Sequence, residues 1–253
     1  MDIHFGCTLC GKCCHDLRLT LSVDEAIVWA GRGHAVQVLT EALPWIAKPD
    51  PADACAAYDL SRSFPAMSGG IPFRIAAVLV AYHDGPCPHL QPDLRCSNYE
   101  ERPRVCRIHP LENRPFAPLN PANRLCPPEA WAPELPLLER DGEIADPEAA
   151  RIVSEHRRIA IADVPAVAAA CAALGLSSAA FANEGFAVHA LDPGVLAEAL
   201  RKARDGQQSH AESRHWTVVT NRRSTFRMLA DAGCDASLVQ QGAGYLGSFA
   251  DEE

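Results

Sequence analysis

Polar and apolar side chains alternate strictly over Asp16-Leu-Arg-Leu-Thr-Leu-Ser22, which predicts a strand, because successive side chains of an extended chain face opposite ways. Ser22 is placed to cap a helix, and Glu25 three residues on completes a capping box, so Val23 to about Ala30 reads as helical and ends at Gly31 or Gly33. A second helix is expected over His34–Leu43, stopped by Pro44. From Ala47 to Pro72 the chain is rich in Pro, Asp, Ser and Gly, which predicts an irregular connection with one helical turn around Cys55. Phe73–Tyr82 carries the best strand pattern. Pro86–Pro136 holds many prolines and little period, so its loops need something other than a hydrogen-bonded ladder to hold them.

The pattern changes after that. Asp146-Pro147 and Asp192-Pro193 each read as an N-cap followed by proline at the first helical position, opening Ala/Leu/Glu/Arg helices. Asp163–Leu174 reads as a helix closed by Gly175, and Arg223–Ala232 as another closed by Gly233, with short strands at Phe186–Ala190 and Trp216–Thr220. The expected fold class is α+β: an irregular, loop-rich, metal-centred N-terminal domain with a few strands over residues 1–138, then a mainly helical region over 139–253.

At 253 residues the chain buries a real core without disulfides. No secretory leader is expected at its start, and no apolar run approaches the roughly 20 residues of a membrane span. The expectation is a cytoplasmic protein with reduced thiols. A net charge of −9 argues against general nucleic-acid binding.

Eleven cysteines are many for a reduced chain, and their placement redirects the reading. Cys7-Thr-Leu-Cys10-Gly-Lys-Cys13-Cys14 packs four thiols into eight residues, and two-residue spacers let thiolates converge on one centre. Later come Cys87-Pro-His-Leu, then Cys96-Ser-Asn-Tyr-Glu-Glu-Arg-Pro-Arg-Val-Cys106-Arg, then Asn123-Arg-Leu-Cys126-Pro. Cys55, Cys171 and Cys234 stand alone and are expected to be small apolar core residues.

This combination resembles the CxxCxxCC family of zinc- or iron-chelating proteins, also called YkgJ-like cysteine-cluster proteins, over roughly Phe5–Trp131. The resemblance implies a chelating set of Cys7, Cys10, Cys13, Cys14, Cys87, Cys96, Cys106 and Cys126. A flagellin lysine N-methylase is similar in its cysteine motif, and most members carry no assigned activity.

Eight thiolates exceed the four that one cubane cluster or one tetrahedral zinc takes, so the set implies two sites, one multinuclear site, or some members that do not ligate. The three-cysteine run favours an iron-sulfur cluster, of the 4Fe-4S type, with zinc as the alternative. Arg102 and Arg107 are candidates to offset the charge of such a cofactor, with Arg95 and Arg104 nearby. His15, His83, His89 and His109 lie beside cysteines, with His89 and His15 the best candidates for ligation, and Tyr99 is expected to pack under its loop. No phosphate loop, nucleophile elbow or His-Glu-x-x-His motif is present. Three functions fit: a metal-cluster protein acting in redox chemistry or on a protein or peptide substrate, a non-enzymatic metal or redox sensor, and a zinc-stabilised binding module.

Overall fold

The computed structural model describes residues 2–47, 49–50, 52–112, 114–206 and 215–252. In chain order the elements begin with β1 (Asp2–His4), β2 (Arg18–Leu21), α1 (Val23–Gly31), β3 (Val36–Pro44), α2 (Ala54–Ser61), β4 (Ser63–Ser68), β5 (Ile71–Tyr82) and α3 (Arg104–Ile108). They continue through β6 (Leu137–Arg140), β7 (Glu143–Ile144), α4 (Pro147–Ala162), α5 (Val164–Ala173), β8 (Ser178–Phe181) and β9 (Gly185–Ala190). Last come α6 (Pro193–Arg204), β10 (Thr217–Thr220), α7 (Arg223–Asp231), β11 (Ala236–Leu238) and β12 (Tyr245–Gly247).

The expected mainly helical C-terminal region is corrected by this order. The fold is mixed α/β, with strands and helices interspersed throughout and five strands, β8 to β12, among the described residues after Gly175. The helix expected over His34–Leu43 is the strand β3, which pairs in parallel with β8 (Glu41↔Ala180) and antiparallel with β9 (Gln37↔Ala190). Val36, Gln37, Val38, Leu39 and Thr40 are all buried, as in a strand covered on both faces, and such a strand carries no period-2 signal. The single turn expected near Cys55 is the full helix α2, opened by Asp53, whose carboxylate accepts from the backbone of Cys55 and Ala56, and followed by β4.

Other elements lie where the pattern puts them. Oγ of Ser22 accepts from Glu25 N at 3.3 Å while the Glu25 carboxylate accepts from Ser22 N at 2.8 Å, so the capping box of α1 is complete. Asp146 and Asp192 accept from the first-turn backbone of α4 and α6.

The chain forms two compact units, each assembled from two stretches: Met1–Leu21 with Ala81–Ile159, and Ser22–Val80 with Ala160–Glu253. In the second, strands run in the order β11-β10-β8-β3-β5, with β8, β10 and β11 parallel, β4 added antiparallel to β5, and β12 antiparallel to β9. Helix α6 packs against both α1 and α5. In the first, β1, β6 and β7 make a small antiparallel sheet. Its core joins Ile108, Leu111, Leu119, Leu138, Ile152 and Val153, with Phe5 and Trp131 packed against them. No helix of the described residues is long and apolar enough to cross a membrane.

Candidate metal centre

All eight cysteines of the motif belong to the first unit, which brings together stretches up to 119 residues apart in sequence (Cys7 and Cys126). Backbone bonds do the assembling. Cys87 N donates to Cys14 O at 2.7 Å, and the next residues out, His15 and Pro86, form an antiparallel bridge. Asp16 closes the junction: its carboxylate accepts from Gly85 N at 2.6 Å, and its own N donates to Gly85 O at 2.9 Å. Leu90 bridges Cys96, and Ser97 N donates to His89 O, so the Cys87 and Cys96 loops are one folded turn. Gly6 N donates to Ala130 O at 2.9 Å, which lays the first cysteine loop beside the Cys126 loop.

Two local features set the turns. Gly11 has φ of +69°, where a Cβ would sit 3.2 Å from Leu94, so a side chain there would meet both strain and a neighbour. Pro103 precedes the short α3 that carries Cys106, and Ile108, only 2 % exposed, anchors that helix in the core.

The thiols feel one another. The Cys14 thiol donates to the Cys13 sulfur and holds Cys13 down to about 6, against the ordinary 9.0. The same bond, with burial and the charges of Cys13, Cys87 and Cys106, pushes Cys14 far up. Burial first, then the charges of Cys87, Cys13 and Cys96, push Cys106 up to about 12, while Arg102 pulls the other way. Cys87 is raised by burial and by Cys96 and Cys13, and Cys126 by burial and by Cys13, Cys10 and Cys7. Every cysteine of the motif is therefore within electrostatic reach of others in the set. None of the eleven cysteines is disulfide-bonded. Among the described residues, no three His, Cys, Asp or Glu side chains are grouped closely enough to hold a metal ion as their rotamers stand.

The surroundings suit an anionic, sulfur-rich group. Nε of Arg102 and Nε of Arg124 are enclosed without a hydrogen-bond partner among the described residues, and their charges act on Cys106 and Cys126 respectively. Arg102 also lies 3.7 Å over the ring of Tyr99, which is exposed rather than packed beneath the loop. Arg107 points elsewhere, to Glu148 at 3.1 Å, and Arg95 lies 3.8 Å from Asp93.

The histidines divide in a way the sequence did not foretell. Nδ1 of His15 is 3.0 Å from Gly11 O and Nδ1 of His83 is 3.0 Å from Gly85 O, so both brace the turns. His109, named among four but not favoured, brings Nε2 to 3.2 Å from Cys126 Sγ. Burial, then the charge of Arg124, lowers its pKa. The sequence held no direct signal for this contact, since His109 lies three residues beyond Cys106 but meets Cys126. Of the lone cysteines, Cys171 and Cys234 are buried as expected, whereas Cys55 is exposed on α2.

Residues 6–127 match the CxxCxxCC family, described as "Putative zinc- or iron-chelating domain", and the matched span contains all eight cysteines. Neither a curated protein nor a solved structure matches the chain.

Proposed function

We propose that this chain, whose residues 6–127 match the CxxCxxCC family, binds an iron-sulfur cluster and uses it in redox chemistry or in modifying a protein or peptide. Cys7, Cys10, Cys13, Cys14, Cys87, Cys96, Cys106 and Cys126 are the donors from which its ligands are drawn. The observation that carries this reading is the mutual electrostatic reach of the thiols. Thiolates that act on one another in partly buried surroundings repel, and bound cations remove that cost while releasing protons.

No three His, Cys, Asp or Glu side chains among the described residues meet at one point, and a change of χ1 from one staggered well to the next carries a sulfur roughly 3 Å, which is the adjustment this reading requires of the thiols. The number of donors supports a multinuclear iron centre over a single zinc, which four would saturate. Arg102 supports the bound centre through its enclosed Nε, a donor suited to a cluster or thiolate sulfur. Arg107 contributes charge only at longer range, because Glu148 holds its guanidinium. The cluster supplies electron transfer or Lewis acidity when bound, and the protein supplies the thiolates and the guanidinium charge.

The test is anaerobic purification followed by iron, acid-labile sulfide and zinc analysis, with the visible absorption spectrum. Stoichiometric iron and sulfide support the reading. Zinc alone, without sulfide or visible absorption, overturns it in favour of a non-enzymatic zinc-stabilised binding module.

A further inference from the structure

We propose that His109 is a positioning residue of the metal centre, donating a hydrogen bond from Nε2 to the Cys126 thiolate and so strengthening the hold of that ligand; the proposal rests on the metal-centre reading above. A metal-bound thiolate has no proton and only accepts, so an imidazole nitrogen 3.2 Å from Cys126 Sγ acts there either as the donor or as a second ligand of the same metal. The observed contact favours the first, and the titration below separates the two. Nitrogen and sulfur ligands of one tetrahedral zinc, at ordinary bond lengths, lie about 3.6 Å apart. The observed separation is shorter and within the range of an N–H···S bond.

The ring is held for this task. His109 follows α3 directly, so the turn that presents Cys106 also presents His109. Phe5 packs edge-on to the imidazole with centroids 6.3 Å apart, and Trp131 lies against Phe5 at 5.0 Å, so aromatic groups on both flanking loops fix the ring plane. Arg124, near enough to lower the pKa values of both Cys126 and His109, is bound to Glu112 at 2.5 Å. That ion pair occupies one guanidinium nitrogen of Arg124, while Nε2 of His109 already lies within hydrogen-bond distance of this sulfur. Hydrogen bonds to ligand sulfur draw charge from the thiolate and orient it, and losing such a partner commonly weakens metal binding 10- to 100-fold.

The experiment titrates metal-free full-length protein with zinc, and separately with iron(II) under anaerobic conditions, against a chromophoric chelator, for the wild type, His109→Phe and His109→Gln. Phenylalanine keeps the aromatic packing without a donor, and glutamine restores an N–H near the Nε2 position. Affinity about 10-fold weaker in His109→Phe at unchanged stoichiometry, with His109→Gln near wild type, is the expected result. Wild-type affinity in His109→Phe overturns the inference and leaves the metal centre standing. A metal equivalent lost in both variants makes His109 a ligand and overturns the hydrogen-bonding role. A wild-type protein that takes up neither metal, and forms no cluster when iron(II) is supplied together with sulfide, overturns the centre and the role of His109 together.

Discussion

At the scale of single residues, the eight motif cysteines are not equivalent. Cys13 and Cys14 are adjacent, and one proton between them leaves Cys13 as the thiolate and Cys14 as its donor. Because the Cys13 pKa is depressed to about 6, its thiolate persists at neutral pH and is lost only as pH falls through that value. In metal-free protein, iodoacetamide at pH 7 is therefore expected to label Cys13 well ahead of Cys14 and Cys106, with the Cys13 rate falling as pH drops through about 6. Mass mapping checks this, and a Cys13 rate that already collapses below pH 8, like an ordinary thiol, contradicts it. A second contrast separates ligand from core. Cys106→Ser is expected to lower metal stoichiometry. Cys171→Ser is expected to leave stoichiometry unchanged and to lower stability modestly, because Cys171 is buried at 2 % exposure in α5. Metal loss in Cys171→Ser would show that the ligand set is drawn wrongly. The first cysteine run stood out because two-residue spacing is itself a geometric statement, whereas Cys87, Cys96, Cys106 and Cys126 are 9, 10 and 20 residues apart and were joined to it only by the family resemblance. The His109–Cys126 contact was not legible, since it depends on how a proline-rich loop of 17 residues folds back, and spacing does not encode that.

At the scale of elements, legibility followed the strength of local signals. Ser22 with Glu25 is a two-point signal, and α1 begins where it says. Ser22 is itself buried, so Ser22→Ala removes an acceptor for Glu25 N that water cannot easily replace. The expected cost is about 1 kcal/mol, read as a lower denaturation midpoint with an unchanged slope. A midpoint equal to wild type would mean that Glu25 alone sustains the helix start. β3 went the other way. Val36-Gln-Val-Leu-Thr-Glu-Ala-Leu has no strict alternation because Val36 to Thr40 are buried on both faces of the strand, and its apolar positions 36, 39 and 43 fit a helical period as well. β8, β11 and β12 span three or four residues each, too short for a period to emerge. Their stability comes from partners such as β10, and that information lies elsewhere in the chain.

At the scale of the molecule, the two units rest on different kinds of support. The second has a sheet with packed helices and core side chains such as Ile75, Ala179, Leu196 and Val218 at or near zero exposure. The first has a small core, and between β5 and β6 its described residues are mostly loops and single turns, with α3 as their one α-helix. Loops of this kind bury little apolar surface per residue, so bound metal supplies much of what fixes them. Metal removal is therefore expected to act unevenly along the chain. In hydrogen exchange on the full-length protein, a chelator should strip protection from residues 84–134, where the backbone bonds around Cys87, Cys96 and Cys106 lie, while the amides of β3, β8 and β10 keep theirs. Protection unchanged in both regions after metal analysis has confirmed its loss would mean that the loops stand on their own packing. Loss in both regions at once would mean that the metal supports the whole chain cooperatively. Of the three outcomes, only the uneven one fits a centre that organises its own loops and little else, because β3, β8 and β10 take their ladder hydrogen bonds from neighbouring strands of their own sheet.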